Sequence, residues 1–164
     1  QSGGGAMIGA GCRNTLSGYY SFIGGGKLNT SLGDMNFIGA GCGNRFNDSA
    51  KGVSAIVSGV CNATNQTNAF IGAGHGNQIS GSCSAILGGR ANQILSLHNQ
   101  SFIIGSNVTS SAACTTFVNN LTVSGSAGGG AGSSTVIMRG LPTSDPSNLG
   151  QLWNDSGTLK VSAG

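Results

Sequence analysis

The sequence predicts an all-β protein, a parallel β-solenoid, because one short pattern repeats along its first two thirds. Isoleucines recur at intervals of 15, 15, 18, 15, 15 and 17 residues, so the period is 15 residues with two insertions. The seven are Ile8, Ile23, Ile38, Ile56, Ile71, Ile86 and Ile103. Such a period is too short for a helix pair, but it suits one coil of two short strands and two tight turns. The repeat therefore indicates β-coils stacked along one axis.

The isoleucines are predicted to form a ladder inside the coils. They stand in segments such as Ser-Phe-Ile-Gly at 21–24 and Ala-Phe-Ile-Gly at 69–72. Phe and Ile both favour a pleated, half-buried surface. A second, less regular column lies eight residues after the isoleucines; it comprises Leu16, Phe46, Ile79 and Ile94, with Ser31 and Thr64 as exceptions.

A column of turn glycines is predicted three residues after the first six isoleucines. These glycines are Gly11, Gly26, Gly41, Gly59, Gly74 and Gly89. Glycine permits a positive φ or a close backbone approach, and a tight coil needs one of these at the same point of every turn. The residue before each glycine is also small, which fits a narrow coil.

An asparagine column stands six residues after the same isoleucines. Its members are Asn14, Asn29, Asn44, Asn62, Asn77 and Asn92. Stacked coils place equivalent residues about 4.8 Å apart, and amide side chains at that spacing can form a hydrogen-bonded ladder. We predict such a ladder inside the coil; the alternative is a row of turn asparagines that face solvent.

Phenylalanine precedes four of the isoleucines, at Phe22, Phe37, Phe70 and Phe102. Neighbouring residues of a strand point to opposite faces, so phenylalanine must face outward if isoleucine faces inward. The simplest cover for it is another copy of the chain in a closed cyclic assembly. The sequence therefore predicts a homotrimer, a common form of fibrous β-shafts. The alternative is a monomer with a sparse apolar stripe.

The chain is predicted to have four segments. They are the coils at 1–107, a closing strand at 108–123, a Gly/Ser linker at 124–134 and a C-terminal element at 135–164. Within the last, two β-rich runs around Asp155-Ser156-Gly157 predict a hairpin that pairs within the oligomer or packs on a neighbour. The insertions at 48–52 and 95–99 should bulge from the shaft. Because the repeat starts so near Gln1, we expect a fragment or a processed product of a longer chain.

Composition argues against two kinds of partner. The chain has 7 Lys and Arg against 4 Asp and Glu, for a formal net charge of +3. The basic residues are scattered along the sequence, so nucleic-acid binding is not expected. No apolar stretch approaches the roughly 18 residues of a membrane span, so membrane insertion is not expected either.

The five cysteines are Cys12, Cys42, Cys61, Cys83 and Cys114. Cys12 and Cys42 share a column but lie two coils apart, about 10 Å, which is beyond the reach of a disulfide. We expect small buried thiols, with pairing between chains as the alternative.

The sequence offers little material for catalysis. Asp34 and Asp48 fall at similar places on successive coils, and paired carboxylates can cleave glycans, but two solvated turn aspartates are the simpler interpretation. His75 occupies an outward or mixed column, where three copies in a trimer could hold a metal. His98 is expected to be solvated in a loop, and the Gly-rich stretches precede no helix that would bind phosphate. We therefore predict no enzyme activity and no metal or other cofactor.

Two parts of the sequence resemble known families. The coil pattern, as in Phe-Ile-Gly-Gly-Gly-Lys-Leu-Asn-Thr at 22–30 and Phe-Ile-Gly-Ala-Gly-His-Gly-Asn-Gln-Ile-Ser-Gly at 70–81, resembles head repeats of trimeric autotransporter adhesins and repeats of viral fibres. This resemblance covers residues 6–107 and implies a left-handed parallel β-roll with three chains to a head. The stretch at 140–162, which includes Gly-Gln-Leu-Trp-Asn-Asp-Ser-Gly-Thr-Leu-Lys-Val-Ser, resembles a segment at the C-termini of phage structural proteins. The second resemblance favours a phage virion protein over a bacterial adhesin.

The expected function is that of a structural virion appendage, a phage fibre whose rigid trimeric shaft attaches to the host surface. Its expected partners are itself, other virion proteins and a host-surface glycan or protein, at the surface of an extracellular particle. The alternatives are a capsid decoration or cement protein, a bacterial surface adhesin and a fibre-borne glycan depolymerase. Candidate contact residues are Tyr19, Tyr20 and Trp153, although each could instead be a trimer contact.

Overall fold

The computed structural model describes residues 4–47, 52–121 and 141–164. Across these ranges the chain is all-β and contains no helix. It divides into two compact units, Gln1–Leu121 and Thr122–Gly164. The predicted linker at 124–134 lies outside the described residues.

The first unit is a parallel β-solenoid of about 7 turns, which confirms the predicted fold class. Its first sheet has eight strands, one from each coil and one that follows the last coil. They are β1 (Met7–Ile8), β3 (Phe22–Ile23), β5 (Asn36–Ile38), β7 (Ser54–Ile56), β9 (Phe70–Ile71), β11 (Ala85–Ile86), β13 (Phe102–Ile104) and β14 (Thr116–Val118). Each isoleucine pairs in register with the next along the stack, and Ile103 pairs with Phe117.

The second sheet has six parallel strands and forms another side of the coil. They are β2 (Thr15–Leu16), β4 (Thr30–Ser31), β6 (Arg45–Phe46), β8 (Ala63–Thr64), β10 (Gln78–Ile79) and β12 (Gln93–Ile94). Between the two strands of a coil, one residue makes a single parallel bridge to the next coil; this third column runs Cys12, Lys27, Cys42, Val60, His75 and Arg90.

The core consists of the two inward columns. The isoleucines from Ile23 to Ile103 are fully buried, while Ile8 on the first coil is only partly buried. In the second sheet the inward residues are also buried, including the polar Ser31 and Thr64. These two flank Phe46 in the stack, so the bulkiest residue of the column lies between two small ones. Such alternation keeps the interior volume nearly constant, as close packing requires.

The turn glycines meet both conditions that the sequence suggested. Gly41 has a φ of 112°, and a Cβ added there would lie 2.1 Å from the carbonyl oxygen of Gly59. The other five have φ between 87° and 108° and similarly close backbone neighbours. Any other residue would therefore be both strained and obstructed at this corner.

Two other corners use left-handed backbone without needing glycine. Leu28 has a φ of 58° and Met35 a φ of 55°, and several coils repeat this at equivalent positions. A non-glycine residue in this region costs about 1–2 kcal/mol. Hydrogen bonds between coils hold it there: the Leu28 N–H donates to the Cys12 oxygen at 3.0 Å, and the Met35 N–H to the Tyr19 oxygen at 2.8 Å.

The solenoid continues beyond residue 107, where the sequence predicted it to end. Residues 108–115 complete a seventh coil, shorter by one residue, in which Val108 takes the place of the asparagine and Ser110 lies in the second inward column. β14 then adds an eighth strand to the first sheet. The predicted closing strand is therefore confined to Thr116–Val118 within the described residues.

The two insertions differ in what the structure describes. Residues 48–51 lie outside the described residues. In the insertion at 95–99, Leu97 is 84% exposed, as a bulging loop requires. His98 is not solvated as predicted: it is partly buried, and its Nδ1 lies 2.7 Å from the Ser110 hydroxyl.

The second unit contains the predicted hairpin. β15 (Leu152–Asp155) and β16 (Thr158–Val161) pair antiparallel, with Trp153 opposite Lys160. Ser156 and Gly157 connect them with φ values of 51° and 94°, the backbone of a type I′ turn. The Asn154 Oδ1 accepts a hydrogen bond from the Gly157 N–H at 2.7 Å and closes the turn.

Candidate functional site

Two hydrogen-bonded ladders hold the coils in register, and the first is the asparagine column. Asn29, Asn44, Asn62, Asn77 and Asn92 are buried. The Oδ1 of each asparagine in the column accepts from the backbone N–H of the equivalent residue on the next coil, at 3.0–3.1 Å. The Nδ2 donates to a carbonyl four residues earlier and to a carbonyl on the next coil.

This ladder differs from the predicted stack of amides. Its bonds run from side chain to backbone, and Asn62 Nδ2 to Asn44 Oδ1, at 3.2 Å, is the one contact between two amides of the column in the described chain. The reason is the left-handed residue before each asparagine, which turns a backbone N–H and two carbonyls towards the amide. Each asparagine therefore satisfies a backbone N–H and a carbonyl that the tight corner would otherwise leave unpaired, and those before Asn92 add a second bond to a carbonyl that already accepts from a backbone N–H.

A second ladder, of serines, was missed by the sequence reasoning. Ser21, Ser54, Ser84 and Ser101 stand two residues before an isoleucine and are buried. The Ser21 Oγ donates to the Gly33 oxygen at 3.0 Å and accepts from the N–H of Asn36 at 3.0 Å. Ser54 does the same with the Gln66 oxygen and the N–H of Ala69. The recurrence of serine at this spacing was the available signal.

The first sheet presents an apolar outer face. On each strand of the first sheet, the residues directly before and directly after the inward residue face outward, and we call them the outer strip. They are Met7, Gly9, Phe22, Gly24, Phe37, Gly39, Ala55, Val57, Phe70, Gly72, Ala85, Leu87, Phe102, Ile104, Thr116 and Val118. None of them is charged. Several large side chains remain open to solvent in the single chain, among them Leu87 at 51%.

Side-chain size is compensated across the outer strip. Where the first position holds phenylalanine on β3, β5 and β9, the second holds glycine, and each ring lies over that glycine. In the ring of Phe22, for example, Cε1 is 3.2 Å from where a Cβ of Gly24 would be. Where the first position is alanine, at Ala55 and Ala85, the second is Val57 or Leu87.

From β1 to β11 one large and one small side chain share each strand of the outer strip. Phe22 and Phe37 stack with centroids 5.6 Å apart and planes 13° from parallel, so the rings lie as a layer along the stack. On β13, Phe102 and Ile104 are both large, and the strip is widest at that coil.

The described cations of the solenoid lie close to one another in the fold, although they are scattered along the sequence; Lys51 is outside the described residues. Lys27 and Arg90 stand in the bridge column and Arg13 directly after it, whereas Arg45 lies on the adjoining outer face of the second sheet, in β6. All four are exposed. Within the solenoid's described ranges the acidic residue is Asp34, which stands in a turn next to the serine corner and accepts from the Tyr19 N–H at 2.8 Å.

The candidate contact residues lie in two places. Tyr19 and Tyr20 are 56% and 75% exposed in a turn before β3, with their rings beside Gly4 and Gly5. Trp153 is partly buried in the hairpin, and the Nζ of Lys160 lies 5.4 Å from its ring centroid. This contact has the geometry of a cation–π pair.

The cysteines are exposed, contrary to the expectation of buried thiols. Cys12, Cys61, Cys83 and Cys114 are exposed, Cys42 is partly so, and all five are free. They occupy outward positions or left-handed corner positions of the coil, and none of them lies in the narrow interior.

The described residues form no group of three His, Cys, Asp or Glu side chains that could hold a metal. His75 is exposed in the bridge column, as predicted for an outward position. Asp48, the suggested partner of Asp34, lies outside the described residues.

The chain matches no protein-family model, no curated protein and no solved structure. No helix among the residues that the structure describes is long and apolar enough to cross a membrane.

Proposed function

We propose that this chain is the shaft of a virion appendage, a phage fibre that assembles as a homotrimer and attaches the particle to a host surface. The observation that carries the proposal is the outer strip. An uncharged face whose side-chain sizes are compensated from β1 to β11 fits repeated, in-register packing against equal copies.

The dimensions of the outer strip suit an assembly contact. Eight strands at about 4.8 Å spacing give a strip roughly 34 Å long. A contiguous exposed apolar face of this kind marks a candidate protein–protein contact. In a cyclic trimer each chain contributes the same outer strip, so one sequence pattern forms all three subunit interfaces.

The two ladders support a mechanical role. The asparagine corner adds side-chain bonds to the strand pairing at each of the first six coils, and the serine corner adds them, on the other side of the first sheet, where serine is present. The stack therefore resists bending and sliding of one coil against the next. Such a rod suits a part that must transmit contact from a host surface to a particle.

A capsid decoration or cement protein is the second candidate, and the C-terminal unit favours it. Leu149, Leu159 and Val161 are 84%, 52% and 62% exposed there. A small element with uncovered apolar residues suits a foot that grips a protein shell. Resemblance to the C-termini of phage structural proteins fits both candidates.

The first experiment measures assembly. Mass photometry should give three copies of the 16.1 kDa chain. Phe70→Asp should release monomers because it places a charge in the outer strip, whereas Gln78→Asp, exposed on the second sheet of the same coil, should leave the trimer intact. A monomeric wild type at micromolar concentration would contradict the proposed trimer.

The compensation of side-chain size across the outer strip allows a sharper test. Ala55→Phe with Val57→Gly converts β7 to the phenylalanine–glycine form, so the ring joins the stack between Phe37 and Phe70 and assembly should persist. Ala55→Phe alone should weaken assembly, because Val57 occupies the place of the ring. Equal assembly of the two variants would show that the strip packs against nothing.

Location on the particle separates the two candidates. Gold-labelled antibody against the chain should mark the distal parts of appendages on intact virions if it is a fibre. Labelling spread over the capsid would instead establish the decoration protein, and particles without any label would reject both.

A further inference from the structure

We propose that the solenoid binds a linear anionic polysaccharide along the bridge corner and the adjoining face of the second sheet. We call this surface the basic ridge and define it as Arg13, Lys27, Arg45 and Arg90. The inference deepens the proposed attachment function, on which it rests, by naming the chemical class of the receptor. It stands on residues separate from the outer strip.

The ridge runs along the stack axis. Lys27 and Arg90 belong to the bridge column, four coils apart, while Arg13 lies one residue after that column and Arg45 three residues after it. Arg13, Lys27 and Arg45 stand on three successive coils. From Arg13 to Arg90 the ridge spans five coil steps, or roughly 24 Å.

The ridge cations have no partner among the residues that the structure describes. In the described chain the one ion pair joins Lys160 and Asp155 in the other unit. None of the four ridge side chains makes a hydrogen bond to a described residue, and all four are exposed. Four exposed positive charges on neighbouring columns create a field that attracts a negatively charged polymer.

The spacing of the charges favours a polysaccharide over nucleic acid. Double-stranded DNA presents one negative charge per about 1.7 Å, far denser than four cations over roughly 24 Å. A glycan with one carboxylate on each sugar carries charges at intervals close to the rise of one coil. Single-stranded nucleic acid also needs aromatic platforms along its path, and the aromatic residues of the solenoid lie in the outer strip, the core and the tyrosine turn instead.

The probe is polymannuronate, a linear polymer of uronic acid, with dextran as the neutral polymer and poly(dT) as the nucleic acid. Binding to the full-length protein is followed by biolayer interferometry at 50 mM and 300 mM NaCl. We expect polymannuronate to bind, dextran not to bind, and the affinity to fall at least tenfold at the higher salt. Absence of polymannuronate binding at 50 mM NaCl, or tighter binding of poly(dT), would overturn the proposal.

Substitutions in the basic ridge then test whether polymannuronate binds there. R13Q/K27Q/R45Q/R90Q should weaken polymannuronate binding at least tenfold, whereas the all-lysine ridge R13K/R45K/R90K should bind within about twofold of wild type because the charges remain. Lys160→Gln removes one exposed cation from the other unit and should have no more than a small effect. Undiminished binding by the glutamine variant would overturn the assignment.

The outcome is independent of the test of the proposed function. The glutamine variant should keep the mass of the wild type in mass photometry, because it leaves the outer strip unchanged. A trimer that does not bind polymannuronate rejects the ridge alone, whereas a monomer that binds through the ridge rejects the trimer alone.

Discussion

At the scale of single residues, Gly74 and Gly76 separate two reasons for a glycine. Gly74 has a φ of 108°, and a Cβ there would lie 2.0 Å from the Gly89 oxygen. Gly76 has a φ of 66°, but a Cβ there would have no heavy atom within 4 Å. At Gly74 a side chain would clash with the next coil, whereas at Gly76 it would only make the left-handed backbone less favourable.

Alanine at the two positions should therefore have different effects. Gly76→Ala should lower the free energy of unfolding by about 1 kcal/mol, the cost of a left-handed alanine. Gly74→Ala should lower it by at least about 3 kcal/mol, because neighbouring coils must separate to admit the methyl group. Urea denaturation at one protein concentration measures both, and equal losses would show that the close approach has no energetic weight.

Asn36 interrupts the serine ladder. It stands in the serine column and is buried, yet both polar atoms of its side-chain amide lack a hydrogen-bond partner. Its backbone N–H still donates to the Ser21 hydroxyl on the preceding coil. The buried amide therefore carries a desolvation cost that its neighbours avoid.

Asn36→Ser should stabilise the protein by about 1 kcal/mol, since it removes two unpaired polar atoms and restores the residue that the ladder uses elsewhere. Asn36→Ala is the control, because it removes the amide without supplying a hydroxyl. Thermal unfolding should rank serine above alanine, and serine above wild type. A lower melting temperature for the serine variant would mean that the volume of asparagine matters more than its unpaired atoms.

At the scale of elements, strands and corners differ in how far sequence reveals them. The isoleucine and glycine periods locate the first sheet and its turns, because a buried strand and a backbone clash each restrict residue type. The serine ladder escaped notice, since Asn36 and Ala69 interrupt it and serine is common throughout this chain. The basic ridge also escaped notice, because residues 63 positions apart, Lys27 and Arg90, share a corner only after the coils stack.

The C-terminal unit depends on a different kind of contact, centred on Asp145. Its carboxylate accepts from the Ser162 hydroxyl and from the Ser147 N–H, the latter at 3.0 Å. These two bonds, with that of Ser162 the larger, lower the pKa of Asp145 below 3.8. Asp145 thereby links the segment before the hairpin to the end of β16.

Because folding lowers the pKa of Asp145, acid should destabilise the C-terminal unit. A carboxylate whose pKa is lowered by folding stabilises the folded state above its unfolded pKa, and this contribution is lost as pH falls through the folded pKa. We expect Trp153 fluorescence to report a loosening of this unit below about pH 3.8. Asp145→Asn should lack that acid transition, and an identical acid transition in both proteins would exclude Asp145 as its cause.

At the scale of the whole molecule, each coil of the solenoid is bonded to the coils directly before and after it. Stability is then a sum of coil terms and of terms between neighbours, as in other repeat proteins. Two neighbouring coils therefore pack correctly if residues of the same column pair with each other, whichever two coils of the chain they are. The length of the shaft is consequently adjustable in steps of one coil.

Deletion of residues 66–80, which is one period, should give a folded protein with one coil fewer. It joins Asn65 to Gly81 and leaves every later residue in its column. Deletion of 66–72 removes β9 but keeps β10, so no coil is removed whole and equivalent columns no longer meet at the junction. Far-UV circular dichroism and thermal unfolding should show a cooperative β-protein for the first and not for the second; two folded products would contradict the column model.

The regular pairing of adjacent coils also has a consequence for synthesis on the ribosome. In a domain with long-range contacts, an emerging strand must wait for a distant part of the chain before it can pair. Here Ile71 pairs with Ile56 and Ile86, each 15 residues away. Each coil can thus dock on the nascent stack once a further coil's length has left the exit tunnel, and the growing end is never exposed for longer than it takes to translate one repeat.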